Sequence, residues 1–175
     1  MAHPRIPAAQ IRGPPGALIK RASRRQLGRT PESLGVMWHN RRVLMSLSMF
    51  GRKAERKWSA FDTDLKLYAH MATASLVGCT ACLDFGYLQA HNHGLDERKA
   101  SQVPQWRESD VFTPLERDVM EYAEAMTQTP PTVTEDLSAR LLTQLGAPAL
   151  IELSAWIGFA NACRAALAAA QRSLS

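Results

Sequence analysis

The sequence predicts an all-α, single-domain helical bundle, and three observations carry that expectation. Apolar residues recur at three- and four-residue spacing in segment after segment, the stripe that a helix buries. Helix-start residues (Asp62, Asp96, Thr113, Thr134) precede those segments, and glycines (Gly28, Gly94, Gly146) follow them. No segment alternates with a period of two over any length, and no internal repeat is evident.

Residues 1–13 read as extended, because Pro4, Pro7 and the breaker Gly13-Pro14-Pro15-Gly16 block a regular helix. A short basic helix is predicted over Ala17–Leu27, with Leu18, Ile19, Ala22 and Leu27 on its apolar side and Gly28 at its end. Thr30-Pro31-Glu32-Ser33 is a helix-start signal, and His39-Asn40-Arg41-Arg42 interrupts the apolar material that follows. Val43, Leu44, Leu47 and Phe50 then form a helical face before Gly51.

Asp62 caps a helix carrying Leu65, Tyr68, Met71, Ala72 and Leu76 up to Gly78, and a second helix runs from about Cys79 towards His93. Asp96 caps a short helix that Pro104 breaks. Thr113-Pro114-Leu115-Glu116 combines an N-cap, a proline at the first helical position and a glutamate at the third, which is a capping box. Pro130-Pro131 is the next break. Thr134 caps a helix with Leu137, Leu141, Leu142 and Leu145, and the last helix opens at Pro148 and ends in the small-residue run Ala165-Ala166-Leu167-Ala168-Ala169-Ala170.

Composition narrows the function classes. Hydrophobic content of 46% in 175 residues gives a globular chain with a full core. Three cysteines do not make a secreted disulfide framework, and the proline-rich start offers no apolar core for a secretory signal, so the expected location is the cytoplasm. Glu152, Asn161 and Arg164 interrupt the last apolar segment, so no membrane span is expected.

The net charge of +5 hides a division. Residues 1–57 hold thirteen Lys and Arg against Glu32 and Glu55, a net +11, and the remainder carries −6. A basic arm of this kind fits an anionic surface, its own acidic body or a neighbouring subunit. Its composition is also that of an organellar transit peptide, although the arm carries periodic apolar residues. It has no nucleic-acid motif and no interleaved aromatic platform, which argues against a nucleic-acid partner.

The chemistry concentrates in Gly78-Cys79-Thr80-Ala81-Cys82, a Cys-x-x-Cys pair between two predicted helices. In the first turn of a helix, unsatisfied N–H groups and the helix dipole favour thiolate over thiol. A thiolate attacks peroxides and disulfides, and a partner one turn away can close a disulfide. Two buried cysteines acting as small hydrophobes, or two zinc ligands, fit the same spacing. Zinc would need further ligands, and only Cys163 and the closely spaced His91 and His93 are offered. His39, beside two arginines, has no nearby metal or catalytic partner in sequence.

The order of the Asp62 helix, Cys79-Thr80-Ala81-Cys82, the His91-to-Gly94 helix end, the Thr113-Pro114-Leu115-Glu116-Arg117 helix, the Thr134 helix and Asn161 resembles the carboxymuconolactone decarboxylase-like family. That family includes the alkyl hydroperoxidase D-like proteins. The similarity runs over residues 30–170 and is sharpest from Leu65 to Met126. It implies a helical domain over residues 30–175 behind a basic arm over 1–29, assembled as a trimer or hexamer. It also implies no cofactor, a hydroperoxide or other small-molecule substrate and an external thiol reductant. Cys82 would be the attacking thiolate and Cys79 the resolving thiol.

The resemblance fails at the proton relay. The hydroperoxidase branch has Glu twelve residues before the first cysteine and His four after the second, where this chain has Leu67 and Gly86. Asp84, two residues past Cys82, points to another side of the helix. His91 and His93 are nine and eleven residues beyond Cys82, about 13–17 Å along a helix. Tyr68 and His70, on the preceding helix, reach the pair only by packing or across an interface. The alternatives are a cofactor-free decarboxylase-like lyase, with Arg164 and His93 as candidate groups, and a non-catalytic helical oligomer that binds a partner.

Overall fold

The computed structural model describes residues 6–168, excepting the side chains of Gln26 and Leu27. The expectations for residues 1–5, for Ala169 and Ala170 and for the Leu27 side chain therefore lie outside the described residues. Among the described residues the chain is all-α. The helices are α1 Gly13–Leu27, α2 Glu32–Met37, α3 Arg41–Lys57, α4 Thr63–Leu76, α5 Thr80–His93, α6 Glu97–Gln102, α7 Pro114–Thr127, α8 Glu135–Leu145 and α9 Ala147–Ala168. Tighter 3₁₀ turns occupy Trp38–Asn40 and Val103–Gln105.

The contacts divide the described residues into two compact units, residues 6–50 with 165–168, and residues 51–164. In the first unit an extended segment precedes α1. Its Pro7 carbonyl lies 2.9 Å from His39 Nε2 and the Ala9 N–H donates to the Gly35 carbonyl at 3.0 Å, so His39 ties backbone together.

Two expectations here are corrected. Helix α1 starts at Gly13, not Ala17, because Pro14 and Pro15 fall in its first turn, where a missing N–H costs no helical bond. Helix α3 does not stop at Gly51 but passes through it to Lys57. A Cβ at Gly51 would lie 2.9 Å from the Phe159 ring, so this glycine serves close packing and not termination. The buried line of α3 is Leu44, Gly51 and Ala54 with Leu47 beside it, and Val43 and Phe50 face outward.

The second unit is built around α4. Leu65 to Ala69 and Met71 to Ala74 are all buried, because α5 and α7 both pack on this helix. Helix α7 supplies Val119, Met120, Tyr122 and Ala123 to the core, while α8 and α9 add Leu137, Leu141, Leu153, Trp156 and Ile157. Polar ties also join the helices. Trp156 Nε1 donates to the Lys66 carbonyl at 2.9 Å, the Tyr122 and Ser154 hydroxyls are 2.8 Å apart, and Arg140 donates from α8 to Asp118 on α7 at 2.9 Å.

The helix-start residues of α4, α6, α7 and α8 act as read. Asp62 and Asp96 accept from Asp64 N–H and Arg98 N–H, and Thr134 accepts from Leu137 N–H. At α7 the Thr113 hydroxyl accepts from Glu116 N–H at 3.3 Å, and the Glu116 carboxylate accepts from Thr113 N–H at 2.7 Å, completing the capping box. Replacing Thr113 by Ala is expected to cost about 1 kcal/mol. Urea denaturation checks this: an unchanged midpoint would mean that the cap contributes nothing to the folded state.

Candidate functional site

The dithiol sits where α4 gives way to α5. Helix α4 ends at Leu76, and Gly78 adopts φ +67°, a left-handed conformation that a residue with a Cβ enters at a cost. This reversal lets Cys79 N–H return to the Ala74 carbonyl at 2.9 Å and leaves Cys79 as the N-cap of α5. Its Sγ occupies the acceptor position of a capping oxygen, taking the Cys82 N–H at 3.3 Å. Cys82 follows as the third helical residue, its Cα 5.3 Å from that of Cys79, with the two sulfurs at disulfide-bonding distance. Both are buried, Cys82 (6% exposed) slightly less than Cys79 (2%).

The relay positions are closed to the expected groups. Leu67 is buried in the apolar core, where an ionised carboxylate would lose its hydration. Gly86 is buried as well, and a Cβ there would lie 2.5 Å from Met71 Cγ and 3.5 Å from His70 Cδ2. The missing side chain is what lets α4 press Met71 and His70 against α5.

His70 is the titratable side chain that packing brings to this turn. Its Nε2 lies 3.2 Å from the Cys82 carbonyl and its ring meets Phe85 edge-on at 6.0 Å. Burial lowers its pKa from the ordinary value near 6.5, against a smaller opposing effect of the bond to Cys82. The neutral ring therefore donates its Nε2 hydrogen to the carbonyl, which leaves a lone pair on Nδ1.

The remaining candidates lie elsewhere. Asp84 is exposed. His91, also exposed, pairs with Glu97 at 2.9 Å at the far end of the unbroken α5, and His93 lies there too. Tyr68 is a core residue packed edge-on against Phe112, and burial raises its pKa well above the ordinary value. Burial pushes the Cys163 thiol up to about 11. Among the described residues, no hydrogen bond or ion pair joins Arg164 to His93, and Arg164 Nε is buried without a partner. Among the same residues, no cluster of His, Cys, Asp and Glu is placed to hold a metal ion.

Residues 48–125, which hold α4, the Gly78 turn, α5 and most of α7, match the carboxymuconolactone decarboxylase family. Over that stretch the chain is similar to this family. An uncharacterised protein of Escherichia coli K12, YnjA, is 36% identical over 119 residues, 68% of this chain. The matched stretch spans 65% of that relative's length.

Among solved structures, the debrominase Bmp8, as a cysteine-to-alanine variant in complex with 2,3,4-tribromopyrrole, has a TM-score of 0.77 at 20% identity. That alignment covers 97% of this chain and 92% of Bmp8. An uncharacterised peroxidase-related protein from a Silicibacter species has a TM-score of 0.76 at 17% identity, covering 98% and 94% of the two chains. An Agrobacterium tumefaciens protein of unknown function, named a putative antioxidant defence protein AhpD, has a TM-score of 0.68 at 18% identity over 75% of this chain and 90% of its own. These structures share the helical fold. Among the described residues no helix is long and apolar enough to cross a membrane.

The packing at Gly86 is testable. Gly86→Ala is expected to cost about 1–3 kcal/mol, because Met71 has no free space to retreat into. Gly158→Ala on α9, where a Cβ meets nothing within 4 Å, should be neutral or stabilise by about 0.5–1 kcal/mol. Equal effects of the two changes in thermal or urea unfolding would contradict the close approach.

Proposed function

We propose that the protein is a thiol-dependent oxidoreductase of the alkyl hydroperoxidase-like kind, whose Cys79–Cys82 dithiol reduces hydroperoxides. The observation that carries this reading is Cys79 as the N-cap of α5 with its sulfur within bonding distance of Cys82. An N-cap sulfur that accepts a backbone N–H is stabilised as the thiolate.

In the first step the Cys82 thiolate attacks the distal oxygen of the hydroperoxide. An S–O bond forms, the O–O bond breaks, and the alkoxide leaves with a proton as an alcohol; sulfur is oxidised by two electrons. The Cys79 thiolate then attacks the Cys82 sulfenic acid, the S–S bond forms as the S–O bond breaks, and the hydroxide leaves as water with a proton from solvent. Two molecules of an external thiol return the pair to the dithiol and leave as their own disulfide.

The N-cap bond agrees with Cys79 as the sulfur that resolves and later leaves. Cys163 does not share the role, since its raised pKa keeps it protonated at neutral pH. The reading includes a homo-oligomer, trimer or hexamer, and exposed apolar residues such as Leu76, Phe85, Leu142 and Ile151 supply surface for one. A reducing, cytoplasmic setting is what the cycle needs. The basic residues 1–29 lie outside the matched stretch.

Intact mass after mixing the reduced protein with an organic hydroperoxide tests the assignment. The wild type is expected to lose two hydrogens, Cys79→Ser to gain one oxygen at Cys82, and Cys82→Ser to react at least about a hundred-fold more slowly. Wild-type rates in both variants would refute it.

A further inference from the structure

We propose, on the basis of the dithiol reading above, that His70 takes from α4 the proton-exchange place beside Cys82 that the family resemblance assigns to a histidine at position 86. His70 has two roles in this scheme. It holds the Cys82 turn through the backbone carbonyl and presents a second ring nitrogen to exchange protons with the dithiol.

Three observations converge. Position 86 has no side chain, and the His70 ring edge lies 3.5 Å from where one would begin. The ring is anchored to Cys82 itself, at 3.2 Å from its carbonyl oxygen. Donation from Nε2 to a carbonyl fixes the tautomer and leaves Nδ1 as the basic nitrogen. A histidine brought across from the neighbouring helix thus occupies the surroundings that a histidine on α5 would have used.

The surroundings leave His70 in control of its own protonation. From α5 it faces the Cys82 carbonyl, the Phe85 ring and Gly86; the titratable groups of that segment are the cysteine pair and the exposed Asp84. Helix α7 also packs on α4, but its charges are engaged elsewhere: Glu116 with Lys99, Asp118 with Arg140 and Glu124 with Arg107. The shift in His70 arises from burial and the bond to Cys82.

The proton balance closes within the steps already given. Nδ1 takes the proton of the Cys82 thiol, directly or through one solvent molecule, to give the thiolate that attacks. It returns that proton to the departing alkoxide, so that thiol and hydroperoxide give sulfenic acid and alcohol with no net change at His70. Such acid–base help is worth about 10²–10⁴-fold in rate.

The test uses two readouts on the full chain. Alkylation of reduced Cys82 by iodoacetamide, mapped by mass across pH, should show in the wild type a second inflection, from His70, beside that of the thiol itself. His70→Gln keeps an N–H for the Cys82 carbonyl and should lose that inflection, while its oxidation by an organic hydroperoxide slows about a hundred-fold. Ring-nitrogen NMR of the wild type needs no variant: His70 should titrate higher in the dithiol than in the disulfide form. Identical alkylation profiles, or a His70 titration independent of the redox state, would overturn the inference. A wild type inert to hydroperoxide would instead overturn the function proposed above, and the alkylation profile would still decide the coupling to His70.

Discussion

The close approach of α4 to α5 across Gly86 is the constraint on which the rest of the site depends. Helix α4 is buried along almost its whole length, so its position is set by the core and not by the dithiol. With α4 fixed, the left-handed Gly78 turn determines where α5 begins, and the start of α5 determines that Cys79 caps it. The empty Cβ position at Gly86 then decides which α4 side chains reach the cysteine helix, and these are Met71 and His70. A larger residue at 86 would separate the helices and remove the contact to Cys82 with them.

Most of the fold was legible because its boundaries are set by short-range chemistry. A capping box needs only four consecutive residues, and Thr113 to Glu116 supply them; Asp62, Asp96 and Thr134 likewise act within one turn. The misread boundaries both involve residues whose local preference is ambiguous. Pro14 and Pro15 break a helix in its interior but open one at its first turn, and the difference lies in where the chain before them goes. Gly51 ends a helix when solvent surrounds it and continues one when Phe159, a residue far along the chain, needs the space.

The candidate site divides along the same line. The cysteine pair and its place at a helix start were readable from spacing and flanking glycine, and so was the departure from the family pattern at Leu67 and Gly86. The meaning of Gly86 was not readable, because a glycine inside a helix records an absent side chain without naming what fills the room. His70 could be marked as a candidate from its helix. Its link to Cys82 depends on the crossing of α4 and α5, which neither helix encodes alone. A buried glycine beside a reactive pair is the signal to search the facing helix for the missing group.

The central claim is that Cys79 and Cys82 form a cycling couple and not a structural staple. The measurement that reaches it most directly is the reduction potential of the pair, obtained by equilibrating the protein with thiol–disulfide buffers. A Cys79 thiolate stabilised by the α5 N-terminus favours the reduced form and predicts a potential between about −270 and −120 mV, the range of thiol–disulfide catalysts. A potential below about −300 mV, where structural disulfides resist cellular reductants, would contradict it.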